Sequence, residues 1–346
     1  MTAAVHEVVR SRELMDVVFT FQQGHYHDML PFLKLTPPMR HTLLYGLRTY
    51  TLWIDLDTPH RALESCYAEY GTTRVAKLLQ CIPTLYPTVL YDASAFGNVA
   101  VLDRLKQVST IPDEELVYIV AAVHGQVEVL QALQMISKVS TETTDWAASY
   151  GQLQVVEWLH ANRLEGCTVQ AMNFAACQGH LPVVQWLHEH RSEGCTSLAM
   201  DLAATNGHLD VVQWLHQNRT EGCTQEAMNS AAQEGRLEVV KWLFENRTEG
   251  CTPHAIRCAA ENGHGEVVRF LHRHQLGDVY WGLNEAVKNH RFDLARELVE
   301  DVDGNISALV DRASSLGHID LFKYLRKLQR GHVETTEQSN NERHND

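Results

Sequence analysis

The sequence is short of the features that mark membrane spans, nucleic-acid binders and common enzymes. No apolar stretch reaches the roughly 20 residues needed to cross a bilayer. No run of Lys or Arg appears, and 43 acidic residues face 29 basic ones for a formal charge of −14. Electrostatic binding of nucleic acid needs a basic face, so no nucleic-acid partner is expected. Strand-like alternation of apolar and polar residues is missing over any useful length. So are the glycine-rich phosphate loops, the Gly-x-Ser-x-Gly nucleophile turn and the kinase motifs, and no catalysis is expected. The opening MTAAVHEVVRSRELMD places charges where a secretion signal needs an apolar core. That composition suits the cytoplasm, or the nucleus.

Metal and disulfide signatures are missing too. Eight cysteines include no Cys-x-x-Cys pair that could clamp zinc. Cys167, Cys195, Cys223 and Cys251 each stand in a Gly-Cys-Thr triplet. Stacked helices lie about 8–10 Å apart, whereas a disulfide wants Cα atoms within about 7 Å. The four read as small buried plugs. The 20 histidines include the pairs His25/His27, His188/His190 and His272/His274, none with a third ligand nearby in sequence. His180, His208, His264 and His318 recur at one turn position and read as backbone hydrogen-bonding groups. No metal and no cofactor are expected.

What the chain does contain is a repeat. EGCTVQAMNFAACQGHLPVVQWLHEH at 165–190 returns at 193–218 and 221–246, each 28 residues on. A strict period of this size marks stacked units, each too small to bury its own apolar face. A small-residue pair followed three positions later by glycine carries the register outward, through Gly71, Gly97, Gly125, Gly151, Gly179, Gly207, Gly235, Gly263 and Gly317. Asn289 is expected to fill the slot between the last two. About ten units then span residues 58–330.

Each unit reads as helix, tight turn, helix, loop. Gly or Asn suits the left-handed position after a helix. Thr168, Thr196, Thr224 and Thr252, with Ser140 and Asp278 in the same slot, can cap the first helix. Pro87 and Pro253 fit its first turn. The second helix opens on Glu128, Pro182, Asp210, Glu238, Glu266 or Asp320, where an acid meets the positive end of the dipole and proline fits. Met172, Ala175 and Ala176, then Val183, Val184, Trp186 and Leu187, form one-sided apolar stripes. The Trp158, Trp186, Trp214 and Trp242 ladder is expected to cover the seam between units as core. Glu165, Glu193, Glu221 and Glu249 are expected to be solvated in the linker.

The string A-A-x-x-G-H-L-x-V-V-x-x-L, at Ala175–Leu187, Ala203–Leu215, Ala231–Leu243 and Ala259–Leu271, resembles the ankyrin repeat. The 28-residue unit is shorter than the usual 33 or so, and the usual Thr-Pro-Leu-His opening is missing. Met and Asn or Asp stand where Leu and His would be. The resemblance implies an all-α, ankyrin-type αα solenoid with trimmed loops, whose residues just before the turn glycine face a concave groove. Those positions hold Tyr150, Gln178, Thr205, Asn206, Gln233, Glu234, Glu261 and Asn262. They change chemistry from unit to unit while the alanine pair beside them does not. The expected organisation is a helical cap or diverged repeat at 1–57, the array at 58–330 and a polar disordered tail at 331–346. The expected function is a monomeric, non-catalytic scaffold that binds a protein partner on one face. A second reading makes it an adaptor, its N-terminal helices recruiting ubiquitin-ligase components while the array selects cargo.

Overall fold

The computed structural model describes residues 56–109, 114–133, 140–163, 165–299 and 307–315, with Phe32 and a few positions between 317 and 329. The expected N-terminal cap and polar tail therefore lie outside the described residues, apart from Phe32, Leu56 and Asp57. Every described element is helical, and within each of two compact units the helices stack in ankyrin-type pairs. Two compact units divide the chain, Met1–Phe174 and Ala175–Asp346.

In the first unit the pairs are α1 (Asp57–Tyr70) with α2 (Arg74–Cys81), α3 (Tyr86–Ala95) with α4 (Val99–Val108), α5 (Glu114–Val123) with α6 (Val127–Leu133), and α7 (Thr141–Ser149) with α8 (Leu153–Asn162). Helix α9 (Val169–Cys177) straddles the division. The second unit continues with α10 (Leu181–His190), then α11 (Ser197–Asn206) with α12 (Leu209–Asn218), α13 (Gln225–Gln233) with α14 (Leu237–Asn246), α15 (His254–Asn262) with α16 (Gly265–Arg273), α17 (Val279–Lys288) with α18 (Phe292–Val299), and α19 (Ser307–Ser315). Within each unit, first helices stack on first helices and second helices on second. The alanine pairs lie fully buried between the first helices, as at Ala203/Ala204 and Ala231/Ala232. Their small side chains permit that close approach. Behind them Val211, Val212 and Leu215, and their equivalents in each unit, are buried as well, each such side chain contributing about 1.5–3 kcal/mol.

The turn explains the spacing Ala-Ala-x-x-Gly. Gly207 has φ +88°, its N–H donates to the Ala204 carbonyl (3.2 Å), and the His208 N–H donates to the Ala203 carbonyl (2.9 Å). Gly235 and Arg236 repeat this on Ala232 and Ala231. The alanine pair thus supplies both the close packing and the two carbonyls that a left-handed helix end needs. The same geometry corrects one assignment. Asn289 has φ −96°, and His290, at φ +62°, takes the left-handed position, with the Arg291 N–H donating to the Ala286 carbonyl (2.8 Å). Counting three residues past the pair Ala286-Val287 lands on His290, and Asn289 is merely the last helical cap. Pro253 also falls one residue outside its expected place, just before α15.

A second hydrogen bond crosses from several of these turns to the one before it. The side chain following the turn glycine reaches back to the carbonyl two residues before the preceding turn glycine. Gln126 donates to Ala95 (2.9 Å) and Gln152 to Val123 (3.0 Å). In the second unit His208 bonds the Cys177 backbone, while the Nε of Arg236 donates to Thr205 (3.4 Å) and that of Arg291 to Glu261 (3.2 Å). Each carbonyl is one of the last four of its helix, which otherwise lack a partner. The reaching side chain lies directly over the earlier glycine. A Cβ at Gly179 would stand 2.5 Å from the His208 ring, and one at Gly97 2.6 Å from Gln126, whereas nothing lies within 4 Å of Gly71.

This separates two costs of losing a turn glycine. Gly263, at φ +89° and ψ +18°, would bring a Cβ no closer than 3.4 Å to Arg291, so Gly263→Ala should cost only the backbone strain of a left-handed residue, about 1–2 kcal/mol. Gly179→Ala should cost that plus the displaced bond between repeats, about 1 kcal/mol more. Urea denaturation of the two variants measures the difference, and equal losses would refute the crossing bond.

Candidate functional site

The first helices of neighbouring repeats are tied together by two sets of crossing bonds, one at the turns and one nearer the linkers. The first is the turn row just described. The second joins the middle of one first helix to the start of the next. The buried carboxylate of Asp201 accepts from the Thr224 N–H (2.8 Å) and hydroxyl (2.9 Å). The Thr224 Oγ1 in turn accepts from the Glu226 N–H (3.1 Å), which caps α13. Asp145 does the same for Thr168, at 2.8 and 2.6 Å, and Asn229 for Thr252, at 2.9 and 3.2 Å. Burial raises the Asp201 carboxyl above its ordinary range, and the two bonds from Thr224 oppose that rise. The threonine caps are thus as expected. Ser140 differs: it stands in the same slot but makes no side-chain cap bond, and its buried hydroxyl lacks a partner among the described residues.

Against this frame the expected partner-binding residues separate. Thr205 is buried, 9% exposed, and its hydroxyl donates to the Asp201 carbonyl of its own helix (2.8 Å). Asn206 donates to the Cys177 carbonyl (2.7 Å), the same turn that His208 engages. Both serve the stack. Gln178, Gln233 and Glu234 are half-buried, with Gln233 donating to Glu234 (3.1 Å). Glu261 and Asn262 are exposed, the Asn262 amide donating to the Cys258 carbonyl (3.0 Å). Tyr150, in the first unit, is half-buried and leans on Trp146, with ring centroids 6.4 Å apart.

The residue just before the turn glycine is aromatic or imidazole throughout the described turns of the first unit: Tyr70, Phe96, His124 and Tyr150. Tyr70 and Phe96 are each 43% exposed. Arg74 lies over the Tyr70 ring at 5.9 Å, and His60 stacks on Phe96 at 3.4 Å while holding the buried Asp92 through Nδ1 (2.8 Å). Burial raises the Asp92 carboxyl although His60 opposes it. Sequence reasoning passed over this row, apart from Tyr150, because all four residues lie outside the closest matches to the repeat string. Following the glycine register outward would have found it.

The linker corrects a second expectation. Glu193, Glu221 and Glu249 are paired, not simply solvated. Each receives both arms of the arginine two residues before it, the Nε of Arg191, Arg219 and Arg247 lying 3.2 Å from the carboxylate. Burial alone would raise the Glu221 carboxyl, but Arg219 holds it below the usual range. The arginine crosses above the previous linker glycine, and a Cβ at Gly194 would meet Arg219 at 2.6 Å. Gly166, Gly194, Gly222 and Gly250 are all left-handed, a second glycine row that the Gly-Cys-Thr triplet announces. Beneath it Cys167 and Cys195 are buried, as expected of plugs, while Cys223 and Cys251 are half-buried. Burial pushes the thiols of Cys195 and Cys223 up to about 11, so they stay protonated at neutral pH.

The tryptophans are not core. Trp158, Trp186, Trp214 and Trp242 are half-buried, because the valine pair and leucine of each second helix already fill the seam. Trp214 meets the edge of His188 at 5.2 Å and Trp242 that of His216 at 5.2 Å. Both imidazoles also touch the linker arginine of the following repeat, at 3.3 Å. Among the described residues no three His, Cys, Asp or Glu side chains gather as metal ligands, and no helix is long and apolar enough to cross a membrane.

Residues 144–227 and 200–281 match a family model described as ankyrin repeats (3 copies). Residues 144–281 carry ankyrin repeats. No curated protein matches the chain. The same helix pairs and left-handed turns continue on both sides of the matched ankyrin segment, from Tyr86 to Leu133 and from Val279 to Val299.

A half-buried ring should contribute about half of what a core ring does. Trp214→Ala should therefore lower stability by about 1–3 kcal/mol, short of the 3–5 kcal/mol typical of a core aromatic. Chemical denaturation reads this directly. An unchanged midpoint would mean that the ring makes no structural contribution.

Proposed function

We propose that the protein is a non-catalytic scaffold whose ankyrin array binds a protein partner along the turn edge of the second unit, through Gln178, Gln233, Glu234, Glu261 and Asn262. Ankyrin repeats in general mediate protein–protein interaction. One observation carries the assignment to this edge. The residue before the turn changes from Gln178 through Glu234 to Asn262, while the buried alanines two and three residues further back stay constant. Packing therefore demands nothing particular of these side chains. Thr205 and Asn206 contribute indirectly, by holding the edge in place. In the first unit, Tyr150 belongs to the aromatic row and not to this acidic and amide edge.

The acids predict how the partner is read. Glu261 is exposed and Glu234 half-buried, so each can meet a basic or amide group at low desolvation cost. Glu234→Lys with Glu261→Lys should weaken the partner recovered with the wild-type chain about tenfold or more, with the denaturation midpoint unchanged. Glu245→Lys, an exposed site on α14 away from the turns, should leave binding intact. Equal binding by the wild type and the double variant would move the site off this edge.

A further inference from the structure

We propose that His208 is an acid-responsive joint between neighbouring repeats of the second unit. Among the described residues that reach back across a turn are Gln126, Gln152, His208, Arg236, His264 and Arg291. Amides and guanidiniums keep one charge state through the physiological range, and only the imidazoles can change theirs. His208 occupies a confined seat. Its ring packs where a Gly179 Cβ would stand, bonds the Cys177 backbone, and shares that turn with the Asn206 amide. The charged groups facing it are Arg236 from the following repeat and Asp210 on its own helix. The Cys177 thiol, which burial pushes up to about 11, stays neutral there.

A proton on this ring is opposed first by burial. Asp210 and the Cys177 bond favour the proton and Arg236 opposes it, and the balance lowers the imidazole below its ordinary value. The unfolded chain therefore takes up this proton first, near the ordinary value of about 6.5. Stability is full above that value and falls as the pH drops through it towards the folded-state value. The joint lies between Gln178 and Asn206, but it acts on the stack and holds whether or not that edge binds a partner.

Glutamine is the matched replacement, because the chain itself seats Gln126 and Gln152 over equivalent glycines. Urea denaturation of the full chain from pH 7.5 to 5.0 compares wild type with His208→Gln. The two should share a midpoint at pH 7.5, and on acidification the wild-type midpoint should fall below that of the variant. Parallel profiles would overturn the proposal. A second readout needs no variant stability: the ring resonance of His208, assigned by its loss in His208→Gln, should titrate in the folded wild type below the ordinary histidine range. A midpoint at or above that range would also overturn it.

Discussion

The array depends on how the first helix of each repeat ends. A helix leaves its last carbonyls without intrahelical donors, and burying that end among neighbours would leave them unsatisfied. Here a left-handed residue turns two backbone N–H groups onto the alanine carbonyls, and the next side chain crosses to a third carbonyl in the preceding repeat. Glycine is needed at most of these turns for two separate reasons. The backbone is left-handed, and the crossing side chain lies where a Cβ would be. His290 shows that the first demand alone can be met without glycine, at a cost that a single position can bear.

The shortened linker follows the same logic. With little chain between repeats, the segment Arg-x-Glu-Gly-Cys-Thr must bring its own order. The arginine clamps the glutamate two residues on, the left-handed glycine lets the next arginine pass above it, and the threonine caps the following helix. The carboxylate or amide of Asp145, Asp201 or Asn229 then fixes the threonine from the neighbouring repeat. An exposed ion pair contributes little on its own. Here each pair is partly shielded and recurs at a fixed step, so its main effect is to hold the linker in one conformation.

Much of this was legible in the sequence, and the misses share a cause. The helices, turns, caps and buried alanines follow from backbone periodicity, which one chain displays openly. The paired Glu221 and the half-buried Trp214 did not, because both depend on which neighbour a side chain meets one repeat away. Repetition marked Trp214 as core and Glu221 as solvated linker without saying what either touches. Thr205 was misplaced for the converse reason: its variation from repeat to repeat resembles surface use, yet its hydroxyl is turned onto its own helix.

That last case shows how variation within an array should be weighed. The residue after the turn varies freely in name, through Gln126, Gln152, His208, Arg236 and Arg291, but every one is a hydrogen-bond donor aimed at the same carbonyl. Its variety is chemical equivalence under a structural demand. The residue before the turn runs through Tyr70, Phe96, His124, Tyr150, Gln178, Asn206, Glu234 and Asn262, and no single donor, acceptor or volume unites that set. Asn206, Tyr150 and Phe96 answer to three different structural neighbours, so no single packing demand accounts for the row. Variety without a common chemistry, set one residue away from variety with one, is the physical reason for seeking the partner on that row.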